Sequence, residues 1–398
     1  MAVKTHKDVG KGQANPNNIV GHKAAVLDVE FSPFNPYVLA TASEDCMVKI
    51  WTLPEGGLKE DMKEEAQLLK GHKRKAGTVA WHPTANNVLA TSGADYVIKV
   101  WDVETGKAQL DVEGHGNIIQ STKWNLDGSQ MVTACKDKKL RLFDPRQQDS
   151  VQDWHAHDGV KGPRAIFCGK SGLIASAGTS RMSDRQIYLW DPRELTKPIY
   201  KNNVDTSSGQ FMLWYDEDTS MLWVAGKGDG NIRYYELDEQ ADKKEFFELS
   251  QFKSSDPQKG LCMVPKRALD VPSCEIARFL KLTPKDMIIP ISMQVPRKSE
   301  LFQDDIFPDS YAGKPTNDAA GYFGGKDTAP EYMSMEPDES VGKKSEAQPP
   351  TFQKQEEEKE LSPKEIKEEW EALKKRVAYL EAEIAKRDAQ IKDLQEAK

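Results

Sequence analysis

No run of about 18 apolar residues occurs anywhere in the chain, so no transmembrane segment is expected. The opening, MAVKTHKDVGKGQ, also lacks the apolar core of roughly 7 to 15 residues that marks a secretory signal, which points to a soluble, intracellular protein. Cysteine is scarce and unpatterned. Cys46, Cys135, Cys168, Cys262 and Cys274 form no CxxC pair and no zinc spacing, and an odd number suits a reducing compartment better than a disulfide framework. There is no excess of positive charge: the net charge is -8 against 55 basic residues, so nucleic acid is not an expected partner, although local basic loops remain. The phosphate-cradling pattern GxxxxGK[ST] is missing, and the glycines of AGKGDGNIRYY lie between two expected strands instead of opening a helix. Adjacent acids such as Glu44-Asp45 and Asp304-Asp305 read as solvated turn residues. No catalytic cluster, metal site or cofactor is expected, and so no enzyme.

What the chain does have is a repeat. LATASEDCMVKIW ends at Trp51, LATSGADYVIKVW at Trp101, MVTACKDKKLRLF at Phe143, GTSRMSDRQIYLW at Trp190 and LWVAGKGDGNIRYY at Tyr235. In each segment an aspartate stands six residues before the aromatic: Asp45, Asp95, Asp137, Asp184 and Asp229. The aromatics are 50, 42, 47 and 45 residues apart, the length of a unit of four short strands. A Gly-His pair precedes the first three, at His22, His72 and His115, with His157 a looser fourth. Between these markers, runs such as VLDVEF, TVAWHP and STKWNL are bounded by Pro, Asn, Asp and Gly and read as strands. This is the pattern of an all-β WD-repeat propeller.

The recurring residue types fit one polar network. An aspartate in a tight turn accepts backbone N–H groups and orients a histidine from the preceding loop. The imidazole then reaches a hydroxyl on the second strand, for which Thr41, Thr91 and Thr133 stand four residues before the aspartate, and the hydroxyl meets the indole. Such histidines are structural. The position after the aspartate varies (Cys46, Tyr96, Lys138, Arg185, Gly230), which makes Cys46 a turn neighbour and not a nucleophile.

Five such repeats end near residue 238, and the apolar runs LCMVPKR, CEIARFLKLT and MIIPISMQVPRKS supply an irregular sixth. How the ring closes is left open, because the segment before residue 19 is short and polar and an unclosed ring leaves sheet edges bare. The expected organisation is a polar remnant of a blade at 1–18, the propeller at 19–297, an extension packed on it at 298–335, a linker at 336–360 and a helix at 361–398. Leu301, Phe302, Ile306, Phe307 and Tyr311 are expected to lie along the propeller surface.

The tail changes period. Ser362, Pro363 and Glu365 form a helix start, and Trp370, Val377, Ile384 and Ile391 alternate with Leu373, Leu380 and Leu394 as the two core positions of a coiled coil. β-Branched residues at one core position and leucine at the other favour a dimer on core shape alone. Arg376 and Glu381 in RVAYLE have the Arg, apolar, x, x, apolar, Glu form of parallel trimers. A parallel homotrimer is favoured, with dimer and tetramer open.

Taken in order, GHKAAVLDVEFSPFN, SEDCMVKIWTLPEGGL, CKDKKLRLFDPR, SRMSDRQIYLWDPR, PKRALDVPSCEIARFLKL, VPRKSELFQDDIFPDSYAG and RVAYLEAEI resemble the coronin family of actin-associated WD-repeat proteins. The resemblance runs over nearly the whole chain. It implies a seven-bladed propeller with a C-terminal extension, trimerisation through Arg376 and Glu381, and binding to filamentous actin. It also implies contact with the actin-related-protein nucleating complex, a cytoplasmic place at the actin cortex, and roles in motility, phagocytosis and cytokinesis. Family members carry a basic segment and most of a blade ahead of the repeat that begins here at Gly21, so the first blade is expected to be incomplete and filament affinity reduced. The candidate actin contacts are the basic loops Lys73, Arg74, Lys75 and Lys136, Lys138, Lys139, since actin is acidic. The competing reading is a generic WD-repeat scaffold for signalling or trafficking complexes.

Overall fold

The computed structural model describes residues 1–12, 15–147, 151–159, 161–239, 241, 243–297, 301–337 and 374. Two compact units are separated at 354 and 355, and only Lys374, in a helix, is described in the second. The coiled-coil positions Trp370, Leu373, Arg376, Val377, Leu380, Glu381, Ile384, Ile391 and Leu394 therefore lie outside the described residues.

A two-residue strand, β1 (Gly10–Lys11), comes first. The first blade is β2 (Val26–Phe31), β3 (Val38–Ser43), β4 (Met47–Thr52) and β5 (Gln67–Lys70). The second is β6 (Ala76–Trp81), β7 (Val88–Gly93), β8 (Ile98–Asp102) and β9 (Lys107–Val112). The third is β10 (Ile119–Trp124), β11 (Met131–Cys135), β12 (Lys139–Phe143) and β13 (Gln152–His155). The fourth is β14 (Arg164–Phe167), β15 (Ile174–Thr179), β16 (Arg185–Trp190) and β17 (Tyr200–Asp205). The fifth is β18 (Phe211–Asp216), β19 (Met221–Gly226), β20 (Asn231–Leu237) and β21 (Phe246–Lys253). The sixth is β22 (Gly260–Met263), β23 (Glu275–Leu282) and β24 (Met287–Gln294), completed on its outer side by β1. Six antiparallel four-stranded blades are thus seen among the described residues, not the seven that the resemblance implied.

Both faces of a blade's second strand are covered, which is why VLATAS, VLATSG, MVTAC, IASAGT and MLWVAG carry no charge and are buried at every position. The first strands of the first five blades contact one another in succession. Blades are also stitched by polar links there: Asp28 accepts from Val79 N–H (3.0 Å) and Glu30 from Trp81 N–H (2.8 Å). The Trp81 indole donates to Glu30 O and the Trp124 indole to Ala80 O. Burial drives the Asp28 and Glu30 carboxyls above the usual range, against those donated hydrogen bonds and Lys123.

The closure left open by the sequence is made by the segment expected as a blade remnant. Gly10 and Lys11 pair antiparallel with Ile288 and Met287 of the sixth blade, and Gly12 N–H donates to Asp286 O. On either side the same segment lies on the first blade: the Met1 ammonium donates to Ile19 O, Ala2 bridges Asn18 and Ile19 bridges Met62. Met1, Val3 and Ile19 pack over Leu39, Trp51 and Leu53. Nearer the axis the first blade stays uncovered, with Leu27, Val29 and Phe31 at 47%, 44% and 46% exposure.

The extension crosses the end of the propeller where first strands turn into second and third into fourth. Phe307 is buried with residues of the fifth and sixth blades, and Phe302 and Ile306 pack beside it, while Leu301 is exposed. The Tyr311 hydroxyl donates to Pro83 O at 2.6 Å. A short helix, α1 (Ala319–Phe323), is capped by Asp318, which accepts from Gly321 N–H. It plants Tyr322, fully buried, against His82 and Trp124 under the Arg146 guanidinium.

Candidate functional site

The opposite end of the propeller is formed by the aspartate turns and the loops between blades. In the first blade His22 Nδ1 meets Asp45 Oδ2 at 2.9 Å and Nε2 meets Thr41 Oγ1 at 2.7 Å, and the Trp51 indole donates to the same hydroxyl at 2.9 Å. Asp45 also accepts from the backbone N–H of Lys23 and Met47, joining the inter-blade loop to the turn. The second blade repeats this with His72, Asp95, Thr91 and Trp101 at 2.8 to 3.2 Å. Burial draws both carboxyls upward, but the histidines and backbone donors outweigh it and hold Asp45 and Asp95 below the usual range. Cys46, Tyr96 and Lys138 follow the aspartates with φ of 70°, 68° and 71°, left-handed turn positions, so the Cys46 slot is set by backbone geometry.

The next three blades depart by degrees. In the third, His115 Nε2 still meets Thr133 at 3.0 Å, but Asp137 takes its side-chain partner from Arg141 at 2.6 Å and His115 Nδ1 has none among the described residues. Phe143 replaces the indole. Burial, aided by Arg141, pushes the His115 imidazole down to about 4. In the fourth, the turn between β15 and β16 is longer, and Asp184 bonds Ser180 inside it. The hydroxyl joining His157 (2.9 Å) and Trp190 (2.8 Å) is Ser176, eight residues before the aspartate instead of four.

The fifth blade has no imidazole in the network. Ala225 stands where the hydroxyl belongs, and the Tyr235 hydroxyl has no partner among the described residues. Arg185 of the fourth blade fills the role instead: it donates to both oxygens of Asp205 (2.6 and 2.7 Å), ion-pairs with Asp229 at 2.7 Å, and lies over the Phe211 ring at 4.3 Å. Asp229 also accepts from Ser207 at 3.1 Å. Above this cluster is an open cavity of about 380 Å³ reaching Lys253 and Ser254. The signals were in the sequence as absences: no Gly-His before the fifth repeat, alanine in the threonine slot, and an arginine in a slot that otherwise varies.

The basic loops sit on this same end. Lys73, Arg74, Lys75, Lys136 and Lys139 are exposed and Lys138 half-buried. Two are already paired, Lys75 with Glu44 at 2.6 Å and Lys139 with Asp153. Lys73, Arg74, Lys136 and Lys138 carry no ion pair among the described residues. The extension leaves this end uncovered, because its contacts at Pro83, Arg146 and Lys170 are all at the other. Among the described residues no group of three or more His, Cys, Asp or Glu is gathered as for a metal ion, and no helix is long and apolar enough to cross a membrane.

Comparisons with known proteins agree with this architecture. Residues 15–52, 63–102 and 106–144 match the family described as WD domain, G-beta repeat, and residues 288–330 match a type of WD40 repeat. Coronin-A of Dictyostelium discoideum is 52% identical over 396 residues, covering 99% of this chain and 87% of that protein. Human Coronin-2B is 45% identical over 330 residues, 83% of this chain and 68% of that protein. Among solved structures, the WD40 domain of Toxoplasma gondii coronin is 33% identical with a TM-score of 0.75, covering 80% of this chain and 82% of that one.

Proposed function

This chain belongs to the coronin family, and from that premise we propose that it binds actin filaments, oligomerises through residues 361–398, and cross-links filaments or modulates the actin-related-protein nucleating complex. A non-catalytic scaffold with a cytoskeletal, actin-regulating role is what the membership carries in general. The observation that supports the filament reading most is the extent of the likeness, 52% over 99% of the chain, which takes in the propeller, the extension and the tail together.

The filament contact in this reading is the end of the propeller that the extension leaves free. Lys73, Arg74, Lys136 and Lys138, without an ion pair among the described residues, present positive charge there, which attracts an acidic filament and holds it more weakly as salt rises. Lys75 and Lys139 have first to exchange Glu44 and Asp153 for the filament. Each propeller then binds weakly, and a parallel trimer built on Arg376 and Glu381 multiplies the hold by avidity. That gives the protein its place at the actin cortex and its part in motility, phagocytosis and cytokinesis.

Co-sedimentation with filamentous actin tests it. The intact protein is expected to pellet with filaments at low salt, less at high salt, and less again without residues 361–398. Changing Lys73, Arg74, Lys136 and Lys138 to glutamate removes the contact while leaving the folded propeller intact. An intact chain that never pellets at low salt refutes the reading.

A further inference from the structure

The turn between β18 and β19 holds three acids in succession, Asp216, Glu217 and Asp218. A two-stranded ribbon of the extension, β25 (Ser310–Tyr311) and β26 (Tyr332–Met333), lies against it, with the Ser310 hydroxyl reaching Asp218. Among the described residues only the first acid has an ion pair. Asp216 is joined to Lys266 and also accepts from Thr219 Oγ1 at 2.6 Å. Glu217 Oε2 and Asp218 Oδ1 are sealed from solvent and have no hydrogen-bond partner among the described residues. The fourth blade closes one side, since a Cβ on Gly169 would lie 2.7 Å from the Glu217 Cβ. Two carboxyl groups thus lie under the ribbon with oxygens that neither water nor a donor satisfies.

The groups around Glu217 do little to hold a charge there. On its own turn, Asp218 and Asp216 oppose its ionisation. From the fourth blade Lys170 favours it, but that ammonium lies over the Tyr332 ring, 4.5 Å from its centre. From the sixth blade Lys266 is engaged with Asp216, and Arg267 donates to Ala312 O and Pro33 O. The ribbon brings Tyr311 and Tyr332, whose hydroxyls burial pushes up, while Lys314 and Glu331 beside it pair with each other at 2.7 Å. Burial, reinforced by Asp218 and Asp216 against Lys170, pushes the Glu217 carboxyl up to about 7, and burial raises Asp218 as well.

We propose that this turn is a proton-operated catch for the extension: the ribbon stays seated on the fifth blade while Glu217 is neutral, and lifts when Glu217 ionises, letting water reach the carboxylates. A carboxyl released into water returns to its ordinary value, so the lifted state gives up its proton at lower pH than the seated one. Seating is therefore firmest below the ordinary 4.5, weakens as pH rises to about 7, and falls no further beyond that. Phe307 and Tyr322 hold the extension elsewhere, so what lifts is the ribbon and not the whole segment. The catch uses neither the basic loops nor the tail and stands apart from the actin reading.

Amide hydrogen exchange in the full chain, corrected for the intrinsic effect of pH on exchange, reads the catch at Ala312 N–H, which donates to Glu331 O. Its protection is expected to fall at least tenfold from about pH 5 to about pH 8, while that of Val224 in β19 does not follow. Glu217→Gln should keep the protection at pH 8 near its value at pH 5. Asp218→Asn removes a like charge and should move the fall to lower pH, whereas Lys170→Met removes a cation and should move it to higher pH. A single cooperative thermal transition verifies that each variant is folded. Protection at Ala312 that is indifferent to pH overturns the proposal. So does a fall that persists unshifted in Glu217→Gln, or one that Asp218→Asn and Lys170→Met move in the opposite senses.

Discussion

In the second blade an imidazole joins the aspartate of the turn to a threonine, and through it to an indole, all within one sheet and its own leading loop. In the fifth, a guanidinium reaching over from the fourth blade joins two aspartates and involves neither the aromatic nor a hydroxyl of the sheet. Both arrangements tie a turn to the loop before it. The first is a chain of hydrogen bonds whose charge is confined to one carboxylate. The second holds an arginine only 2% exposed between two carboxylates, and depends on each charge having its partner.

Removing the arginine should therefore be the most damaging single change in this comparison. Arg185→Met takes from Asp229 its cation among the described residues and leaves Asp205 with Arg233 alone, and is expected to cost about 3–5 kcal/mol in denaturant unfolding. A loss under about 1 kcal/mol would mean that the cluster is solvated and the contrast false. In the second blade Thr91→Val keeps the shape but strands the His72 Nε2 acceptor and the Trp101 indole donor, with an expected loss of about 1–3 kcal/mol.

Acid acts next on the imidazoles of the third and fourth blades, which the fifth lacks. Burial holds the His115 and His157 imidazoles at about 4, below the ordinary 6.5, so both are neutral in the folded chain and take up protons on unfolding. Stability is then complete above pH 6.5 and falls as pH drops toward 4, because the unfolded state binds the extra protons there. His157→Gln should flatten that fall in a thermal-unfolding pH series. The smallest effect is expected at Tyr235→Phe. Its hydroxyl has no partner among the described residues, so unfolding should change by no more than about 0.5 kcal/mol, whereas Trp101→Phe, which removes a bonded indole N–H, should cost clearly more.

The parts of the fold that repeat were legible because the repeat imposes one residue type on one role. The Asp-to-aromatic spacing of six located five blades, and the first two networks join the four residue types that the spacing singled out. Legibility ended where the role survived and the residue changed. Asp184 keeps its distance from Trp190, yet a longer turn takes it away from His157, and no spacing rule reports a turn's length in space. Arg185 acts across a blade boundary, and Asp28 and Glu30 look like the polar half of an alternating strand until the neighbouring N–H groups are placed. Tyr322 stands outside the Asp-to-aromatic repeat, and its burial follows from contacts with residues nearly two hundred positions or more away in the chain. The basic loops were readable as charge, while the pairing of Lys75 and Lys139 was not.

The two-residue strand that completes the sixth blade also sets an order of events. Gly10 and Lys11 have no sheet to join until Met287 and Ile288 have been made, so a segment synthesised ahead of all six blades is among the last to find its place. Through synthesis the first five blades can stack in turn, each on the one before, while Gly10 and Lys11 wait. The final latch is short and its ends are far apart in sequence, so the opening of the ring under stress should begin at that seam, well before any of the five inner blade contacts gives way.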